Sequence, residues 1–365
     1  MTGWTRSALG AARARAVWTG PAVAVLTVIA GIIATNSVGL PLRDPDHDAA
    51  LYLLLVGIGV FGLVQLDVAI RARRPGRRWP AREAMRRVRR ERWTLRRGLI
   101  VASALVGFYA TYMAYRNLKS VVPLLRPDVN FDRQLAELDR DLFGGHDPAE
   151  LLHTLLGTGI ANQFLSTTYV AYIVFLPLTI GVALVFSTRL RPALFYVTAQ
   201  SINWGLGIIS YLLLPSLGPV YFEPAAFAHL PATEAAHLQA ILLDQRVAFL
   251  HDPAGATPQS IAAFASLHVS MSFTAALAAH LLGLGRRLRI ALWAWLAVTL
   301  LGTVYLGWHY VLDDIAGLAM GVVALALARA CTPIDLHLWP GRRVAEATTG
   351  WEGDARRPES PPARA

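Results

Sequence analysis

The stretch GWHYVLDDIAGLAMGVVALALARAC, residues 307–331, combines a long apolar run with three ionisable residues near its start. About 20 apolar residues of helix are enough to cross a bilayer, so the run predicts a membrane-spanning helix. An ionisable side chain inside a span costs about 2.5–3.5 kcal/mol on insertion scales and is by default a functional candidate. His309, Asp313 and Asp314 therefore predict a functional site at one end of this span.

The whole chain has the composition of a membrane protein. Of its 365 residues, 55% are hydrophobic and 16% are charged, whereas soluble domains carry about 25% charged residues. We predict an all-α, polytopic membrane helix bundle of about eight spans. Arginines precede the first span as in a signal peptide, but we find no convincing small-x-small cleavage site and favour an anchor. The predicted spans are 19–39, 50–70, 98–118, 168–187, 193–215, 266–284, 289–308 and 309–331.

Most of the net charge of +10 lies in one block, where thirteen arginines and two acids stand between Arg71 and Arg97. Beside a membrane span, such a block favours a cytoplasmic anchor near anionic lipid headgroups over a nucleic-acid site. The single cysteine, Cys331, excludes an intrachain disulfide and a multi-cysteine metal site. Membrane lipids are thus expected partners and nucleic acids are not, while nothing in the sequence indicates an oligomeric state.

The distribution of arginines sets the expected orientation, because short cytoplasmic loops are enriched in them. Arginines place both termini inside a multi-pass plasma-membrane protein, and the candidate site then lies on the extracytoplasmic side. The outward loops are longer or more acidic, and they are 40–49, 116–165 and 216–264. The predicted parts are two N-terminal spans with an Arg-rich connector (1–97), a six-helix catalytic membrane domain (98–331) and a disordered cytoplasmic tail (332–365).

The second outward loop has helical structure of its own. Phe131, Leu135, Leu138 and Leu142 recur at helical spacing with charged residues between them, which predicts a helix lying along the membrane surface. The pair at 144–145, both glycine, is expected to end this helix. A second apolar piece, Leu151 to Ile160, is expected to enter the interface before the next span.

The spacing of His309 and Asp313 indicates a catalytic pair. Residues four apart share one face of a helix, so the carboxylate can accept the imidazole Nδ1–H. That bond would orient the ring, leave Nε2 free as a nucleophile and stabilise the developing positive charge. A buried polar pair that helps helices pack would have the same spacing.

His268 lies where the sixth predicted span begins, directly after Ser266 and Leu267. Ser266 is a suitable N-cap, and the free N–H groups of a helix N-terminus suit an anion. His268 could then donate a proton to a leaving alkoxide, although an interfacial histidine satisfied by water is the alternative. His280, deeper in the same span, is interpreted as structural.

Lys119 and Arg126 lie just outside the third predicted span. Such cations are usually anchors that extend to the interface, but the positive-inside rule disfavours them on the outer side. A bound phosphate would explain them, since arginine offers a bidentate fork and lysine a point charge. The topology brings both cations and the two histidines to one membrane face, a set suited to phosphoryl transfer.

These residues resemble the three signatures of the type-2 phosphatidic acid phosphatase superfamily, K-x6-R-P, P-S-G-H and S-R-x5-H-x3-D. Lys119 to Arg126-Pro127 matches the first, and Ser266-Leu267-His268 matches the second with Leu267 for glycine and alanine for proline. His309 and Asp313 match the third, where Gly302 and Thr303 replace serine and arginine. The S-L-H form and the outer-loop segment DRDLFGG, residues 139–145, are similar to the inositolphosphotransferase branch, which includes inositol phosphorylceramide synthases.

The resemblance implies an enzyme that cleaves or transfers a lipid-linked phosphate through a phosphohistidine on His309, without a metal or cofactor. Asp313 would orient His309, and His268 would protonate the departing oxygen and then activate water or an alcohol. The expected phosphate-binding groups are Lys119, Arg126 and the backbone N–H groups near Ser266 and Leu267. Possible headgroup contacts are Thr303, Asp314 and Asp139.

Three other classes fit parts of the pattern. A proton-coupled transporter or flippase would use the His/Asp cluster as a relay, but transporters place such groups near the midplane and show repeat symmetry. A metalloenzyme could use His268, His309 and Asp313 as zinc ligands, but no H-E-x-x-H motif accompanies them. A catalytically inactive scaffold would explain the altered second and third signatures.

Overall fold

The computed structural model describes residues 3–45, 47–73, 80–258, 261–332 and 334, with residues 3–15 and 49 described by their backbone alone. All of the regular structure in these residues is helical. The helices are α1 (Gly3–Ser37), α2 (Asp48–Ala72), α3 (Arg82–Arg92), α4 (Leu95–Leu125), α5 (Asp132–Leu142), α6 (Pro148–Leu156), α7 (Ile160–Phe186), α8 (Leu190–Leu213), α9 (Pro219–Phe222), α10 (Glu234–His251), α11 (Leu267–Leu281), α12 (Arg286–Tyr305) and α13 (Val311–Cys331), with a 3-10 turn at Pro224–Phe227. The predicted tail lies outside the described residues except at its first positions.

Each of the eight predicted spans forms a helix, but the count of eight membrane spans is not confirmed. Six helices in the described part are long and apolar enough to cross a membrane: α1, α2, α4, α7, α12 and α13. The apolar helix α11 is shorter, and α8 is not among the six. Helices α8 and α11 are largely buried among their neighbours. Their surfaces therefore do not need to be as apolar as those of helices that contact lipid.

Buried polar side chains explain the lower apolarity of α8. Gln200 donates to the Met271 carbonyl, and Asn203 donates to the Thr274 hydroxyl at 2.9 Å. The Ser270 hydroxyl donates to the Asn203 carbonyl oxygen at 2.8 Å, which closes the network between α8 and α11. Because buried polar groups are stable only with partners, these bonds fix the two helices against each other.

The N-terminal helices pack on the bundle rather than standing apart from it. Helix α1 lies along α4 and α8, and α2 packs against α7. At the end of the bundle that carries α3, buried Asp67 accepts bonds from Arg71 and Arg92, each at 2.7 Å, and from Trp93. Arg92 also donates to the Val185 and Ser187 carbonyls at the end of α7. The arginine-rich connector is thereby tied to α2 and α7.

The opposite end of the bundle is covered by α5, α6, α9 and α10. Helix α5 is confirmed, and Gly144 and Gly145, with φ of 66° and 90°, follow it as predicted. Its burial pattern differs from that of a helix lying on lipid: Asp132 and Asp139 are buried, whereas Leu138 and Leu142 are exposed. The reason is that both carboxylates accept hydrogen bonds from backbone N–H groups of the protein.

The second predicted apolar piece also forms a helix, with shifted bounds. Helix α6 begins at Pro148 because Asp147 caps it, accepting the Ala149 N–H at 2.8 Å. It ends before Gly157, whose φ is 73°. Leu155 and Ile160 are 78% and 90% exposed, so the apolar surface expected at the interface is present on either side of this glycine.

Candidate active site

His309 lies in the turn between α12 and α13, and Asp313 lies in the first turn of α13. The imidazole Nδ1 is 3.4 Å from Asp313 Oδ2, and both side chains are buried. The same Oδ2 accepts the Tyr310 N–H at 3.0 Å, which caps α13. The two predicted side chains therefore lie next to each other, but the expected Nδ1–H bond to the carboxylate is not formed, and Oδ2 accepts the Tyr310 N–H instead.

Burial lowers the pKa of the His309 imidazole to about 4. The positive charge of Lys119 adds to this effect, while the negative charge of Asp314 and a hydrogen bond to the Ala263 backbone oppose it. The ring is consequently neutral at pH 7. A neutral imidazole keeps the lone pair that a nucleophile needs.

His268 is the second residue of α11, and its ring faces His309 across the site. The centroids of the two imidazole rings are 5.9 Å apart. Tyr169 stacks on His268 at 4.5 Å, and Tyr172 contacts it at 4.4 Å, both from α7. Trp308 also stacks on Tyr169, with the two ring centroids 4.8 Å apart. The aromatic rings restrict the orientation of His268.

Ser266 caps α11 as predicted, because its hydroxyl accepts the Val269 N–H at 3.4 Å. Its own N–H donates to the Asp313 carbonyl oxygen at 3.0 Å, which joins the starts of α11 and α13. Leu267 is buried in the main core. The first turns of α11, which carries His268, and of α13, which follows His309, thus lie side by side.

The two predicted cations lie at the same end of the bundle. Lys119 Nζ stands 5.6 Å from the centroid of the Tyr115 ring, which is within the range of a cation–π contact. Arg126 ends α4, and its Nη1 donates to the Leu212 carbonyl at 2.6 Å. Arg126 also lines a cavity of about 240 Å³.

The three residues proposed for headgroup contact differ in their surroundings. Thr303 and Asp314 form a buried pair, with the hydroxyl donating to Oδ2 at 2.8 Å. Asp139 binds the first turn of α13 instead, accepting the N–H groups of Val311 at 2.7 Å and Leu312 at 3.1 Å. Burial raises the pKa of the Asp139 carboxyl although these two bonds oppose the shift. Asp139 therefore holds the first turn of α13 in place.

Sequence reasoning missed Asp132, which holds the turns around the site together. Its carboxylate accepts the N–H groups of Leu217 and Gly218, each at 2.8 Å, and the Tyr310 hydroxyl at 3.1 Å. Asp132 resembles any surface acid of an amphipathic helix, so its sequence gave no signal of this role. Within the described part of the chain, no cluster of three or more His, Cys, Asp or Glu side chains could hold a metal ion.

The fold and the site together define a helical protein with membrane-spanning character and a paired-histidine centre. The model of the PAP2 superfamily matches residues 133–327, which is more than half of the chain, and the chain belongs to this superfamily. Its members are phosphatases and phosphotransferases, which supports an enzyme that acts on lipid phosphates. No curated protein and no solved structure shows significant similarity to the chain.

Proposed function

We propose that this protein cleaves or transfers a lipid-linked phosphate through a covalent phosphohistidine on His309. The observation that carries the proposal is the arrangement of His268 and His309, with ring centroids 5.9 Å apart. Each imidazole lies at the N-terminal end of a helix, and Asp313 Oδ2 is 3.4 Å from His309 Nδ1. Two histidines this close together can act on one bound phosphate ester, one as nucleophile and the other as proton donor.

Hydrogen bonding in the site fits a polar ligand. Among the described residues, His309 Nδ1, Asp313 Oδ1, Asp314 Oδ1 and Trp308 Nε1 are buried and have no hydrogen-bond partner in the protein. Buried polar atoms are nearly always paired in folded proteins, so a cluster of unpaired ones indicates a place for a polar group. The Trp308 Nε1–H can donate to a phosphate ester, and the two carboxylate oxygens can accept from the hydroxyl group of an acceptor alcohol.

In the first step, His309 Nε2 attacks phosphorus and the bond from phosphorus to the lipid oxygen breaks. His268 gives its proton to the departing alkoxide, and Asp313 stabilises the positive charge on His309. In the second step, His268 takes a proton from water or an alcohol, whose oxygen attacks phosphorus. The bond from phosphorus to His309 breaks, which regenerates the neutral imidazole.

Lys119 and Arg126 bind the phosphate oxygens in this proposal. The positive charge of Lys119 helps to lower the pKa of His309, which supports this role. The N–H groups at Ser266 and Leu267, where α11 begins, add donors and the positive end of a helix dipole. Such fixed donors stabilise the charge that develops on the equatorial oxygens.

The Thr303–Asp314 pair favours transfer to an acceptor alcohol, as in the inositolphosphotransferase branch. Thr303 stands where the third signature has arginine, and its hydroxyl is used by Asp314. A carboxylate at this place repels phosphate but accepts hydrogen bonds from hydroxyl groups. We infer that Asp314 binds a hydroxyl of a polyol acceptor.

The test is a substrate screen with the purified full-length protein in detergent, following free phosphate and new lipid products together. Lipid phosphomonoesters and phosphatidylinositol serve as donors, each with and without an added alcohol acceptor. We expect His309→Ala and His268→Ala to abolish turnover and His280→Ala, an exposed histidine on the same helix as His268, to retain it. Denaturation of wild type during turnover should trap an acid-labile phosphohistidine that His309→Ala lacks.

The products separate the two activities, since phosphate release identifies hydrolysis and a headgroup moved to the alcohol identifies transfer. Turnover by His309→Ala at the wild-type rate would refute the mechanism. Proton-gradient-dependent lipid movement by reconstituted protein, without any His309-dependent product, would favour the transporter alternative.

We also propose that the site faces the extracytoplasmic side of the plasma membrane. Single cysteines placed at Glu137, an exposed residue at the site end of the bundle, and at Arg87 of α3 test this in a Cys331→Ser background. An impermeant thiol reagent applied to intact cells should label the first cysteine only. Labelling of the second alone would reverse the orientation.

A further inference from the structure

The His268 ring is held by aromatic rings rather than by hydrogen bonds. The nearest ring centroids are those of Tyr172 at 4.4 Å, Tyr169 at 4.5 Å and His309 at 5.9 Å. Within the described residues, no protein group forms a hydrogen bond with either nitrogen of His268. Active histidines are commonly oriented by a hydrogen bond on the nitrogen that does not react. At His268 the packing of rings must set the orientation instead.

Tyr169 connects His268 with the rest of the site. Its ring stacks on His268 with 28° between the ring planes, and it stacks on Trp308 with 8° between the planes. Tyr169 lies on α7 and is buried, and it packs in one cluster with Leu165 of the same helix and with Tyr305 at the end of α12. The face that Tyr169 presents to His268 is therefore fixed from two helices.

The same tyrosine face favours one protonation state of His268. The charges of His309 and Lys119 act on His268, and both of these groups can only be neutral or positive. The faces of Tyr169 and Tyr172 instead attract a protonated imidazole, because an aromatic face carries partial negative charge. The titratable neighbours of the two histidines are Lys119 on α4, Tyr169 and Tyr172 on α7, and Asp313 and Asp314 on α13.

We propose that Tyr169 is a positioning residue, which fixes the orientation of the His268 ring and stabilises its protonated form, with Tyr172 as a second wall. The inference rests on the proposed function, because it concerns the proton donor of that reaction. It adds a residue of α7 that lies in none of the three signatures. Both effects belong to the ring of Tyr169, since its hydroxyl forms no hydrogen bond within the part of the chain that the structure describes.

The experiment compares wild type with Tyr169→Leu and Tyr169→Phe in the purified full-length protein. Tyr169→Leu removes the stacked ring, whereas Tyr169→Phe keeps it. Tyr169→Leu should lower kcat by about 10- to 100-fold and change KM much less, because a misoriented proton donor loses most of its contribution. Tyr169→Phe should retain most of the wild-type kcat.

The matched control is Phe175→Leu. Phe175 lies on the same helix and stacks on Trp295 at 4.3 Å, so this variant also loses one stacked aromatic pair in the bundle. Its kcat should stay near that of wild type. A fall in kcat equal to that of Tyr169→Leu would overturn a specific role of Tyr169.

The pH profile distinguishes a positioning residue from a merely structural one. The basic limb of kcat/KM reports the acid that must be protonated in the free enzyme, which is His268 in the proposed mechanism. Loss of the tyrosine face destabilises the protonated ring, so the limb should move to lower pH by about 0.4–1.5 units in Tyr169→Leu. It should stay in place in Tyr169→Phe and in Phe175→Leu. An unmoved limb in Tyr169→Leu, or an equal movement in Tyr169→Phe, would overturn the inference.

A second variant keeps the test decisive if Tyr169→Leu does not fold. Tyr172→Leu removes the other ring that contacts His268 and leaves the pair of Tyr169 and Trp308 intact. It should move the basic limb in the same direction. A limb that coincides with that of wild type would then contradict the stabilisation of protonated His268 by aromatic faces.

Failure of the proposed function would give a different result, because wild type would show no His309-dependent turnover with any donor. Nuclear magnetic resonance of histidine-labelled protein still tests the stack in that case. The ring signals of His268, identified by their absence in His268→Asn, should lie upfield in wild type and Tyr169→Phe, since they are exposed to the ring current of residue 169. They should move downfield in Tyr169→Leu, and identical positions in wild type and Tyr169→Leu would overturn the stacking.

Discussion

Removal of the Asp139 side chain should disturb the catalytic centre, although the carboxylate binds the backbone of Val311 and Leu312 and neither histidine. The carboxylate accepts the N–H groups of Val311 and Leu312 at 2.7 and 3.1 Å, in the first turn of the helix that carries Asp313. In Asp139→Ala these two N–H groups lose their partner. The start of α13 would then shift relative to α5.

The expected loss of unfolding free energy in Asp139→Ala follows from the two hydrogen bonds and from the cost of burying the carboxylate charge. Each hydrogen bond to a charged group contributes about 1.5–3 kcal/mol, and desolvation, which raises the pKa of Asp139, offsets part of the sum. We expect a net loss of about 2–4 kcal/mol. At about 2–4 °C per kcal/mol for a large domain, the unfolding temperature should fall by at least about 4 °C.

The effect on catalysis should exceed what the stability loss alone produces. A displacement of about 1 Å in a catalytic group can cost roughly 100-fold in rate, so kcat should fall by about 10- to 100-fold at a temperature where the variant is folded. The matched control is Asp141→Ala, which removes an exposed acid from the same helix.

The assay combines thermal unfolding in detergent with steady-state turnover of a lipid phosphate by wild type and both variants. If Asp139→Ala matches the control in unfolding temperature and in kcat, the carboxylate does not position α13 and the reasoning is refuted.

Two further predictions concern the same centre. The pKa of His309 is lowered to about 4, and protonation removes its nucleophilic lone pair, so the acidic limb of kcat/KM that His309 sets should appear only as the pH drops through about 4. An acidic limb near pH 6.5, the ordinary value for histidine, would contradict a buried neutral nucleophile. Gly317→Ala should lower both activity and unfolding temperature, because an added Cβ would stand 2.5 Å from the Ser266 carbonyl oxygen and force α11 and α13 apart, at about 1–3 kcal/mol. Gly62→Ala, where the added Cβ meets nothing within 4 Å, is the control, and equal losses in the two variants would contradict the packing argument.

The helices and the superfamily could be predicted from local sequence patterns. Apolar runs of membrane length specify helices locally, since lipid offers no partner to backbone polar groups. The eight predicted spans accordingly became helices, and the S-L-H and H-x3-D elements lie within the matched residues 133–327. The end of α5 at Gly144 and Gly145 is equally local, because both glycines adopt a positive φ that a helix does not allow.

Contacts between distant segments set which helices are shielded by their neighbours and which residues support the site. Helix α8 is shielded by its neighbours and carries a polar network, a fact that no local window of sequence contains. The bond from Val311 to Asp139 joins residues 172 positions apart, and the stack of Tyr169 on His268 joins α7 to α11. A charged side chain has the same local pattern whether water, a helix terminus or a ligand satisfies it, so only the packing of distant segments reveals its partner.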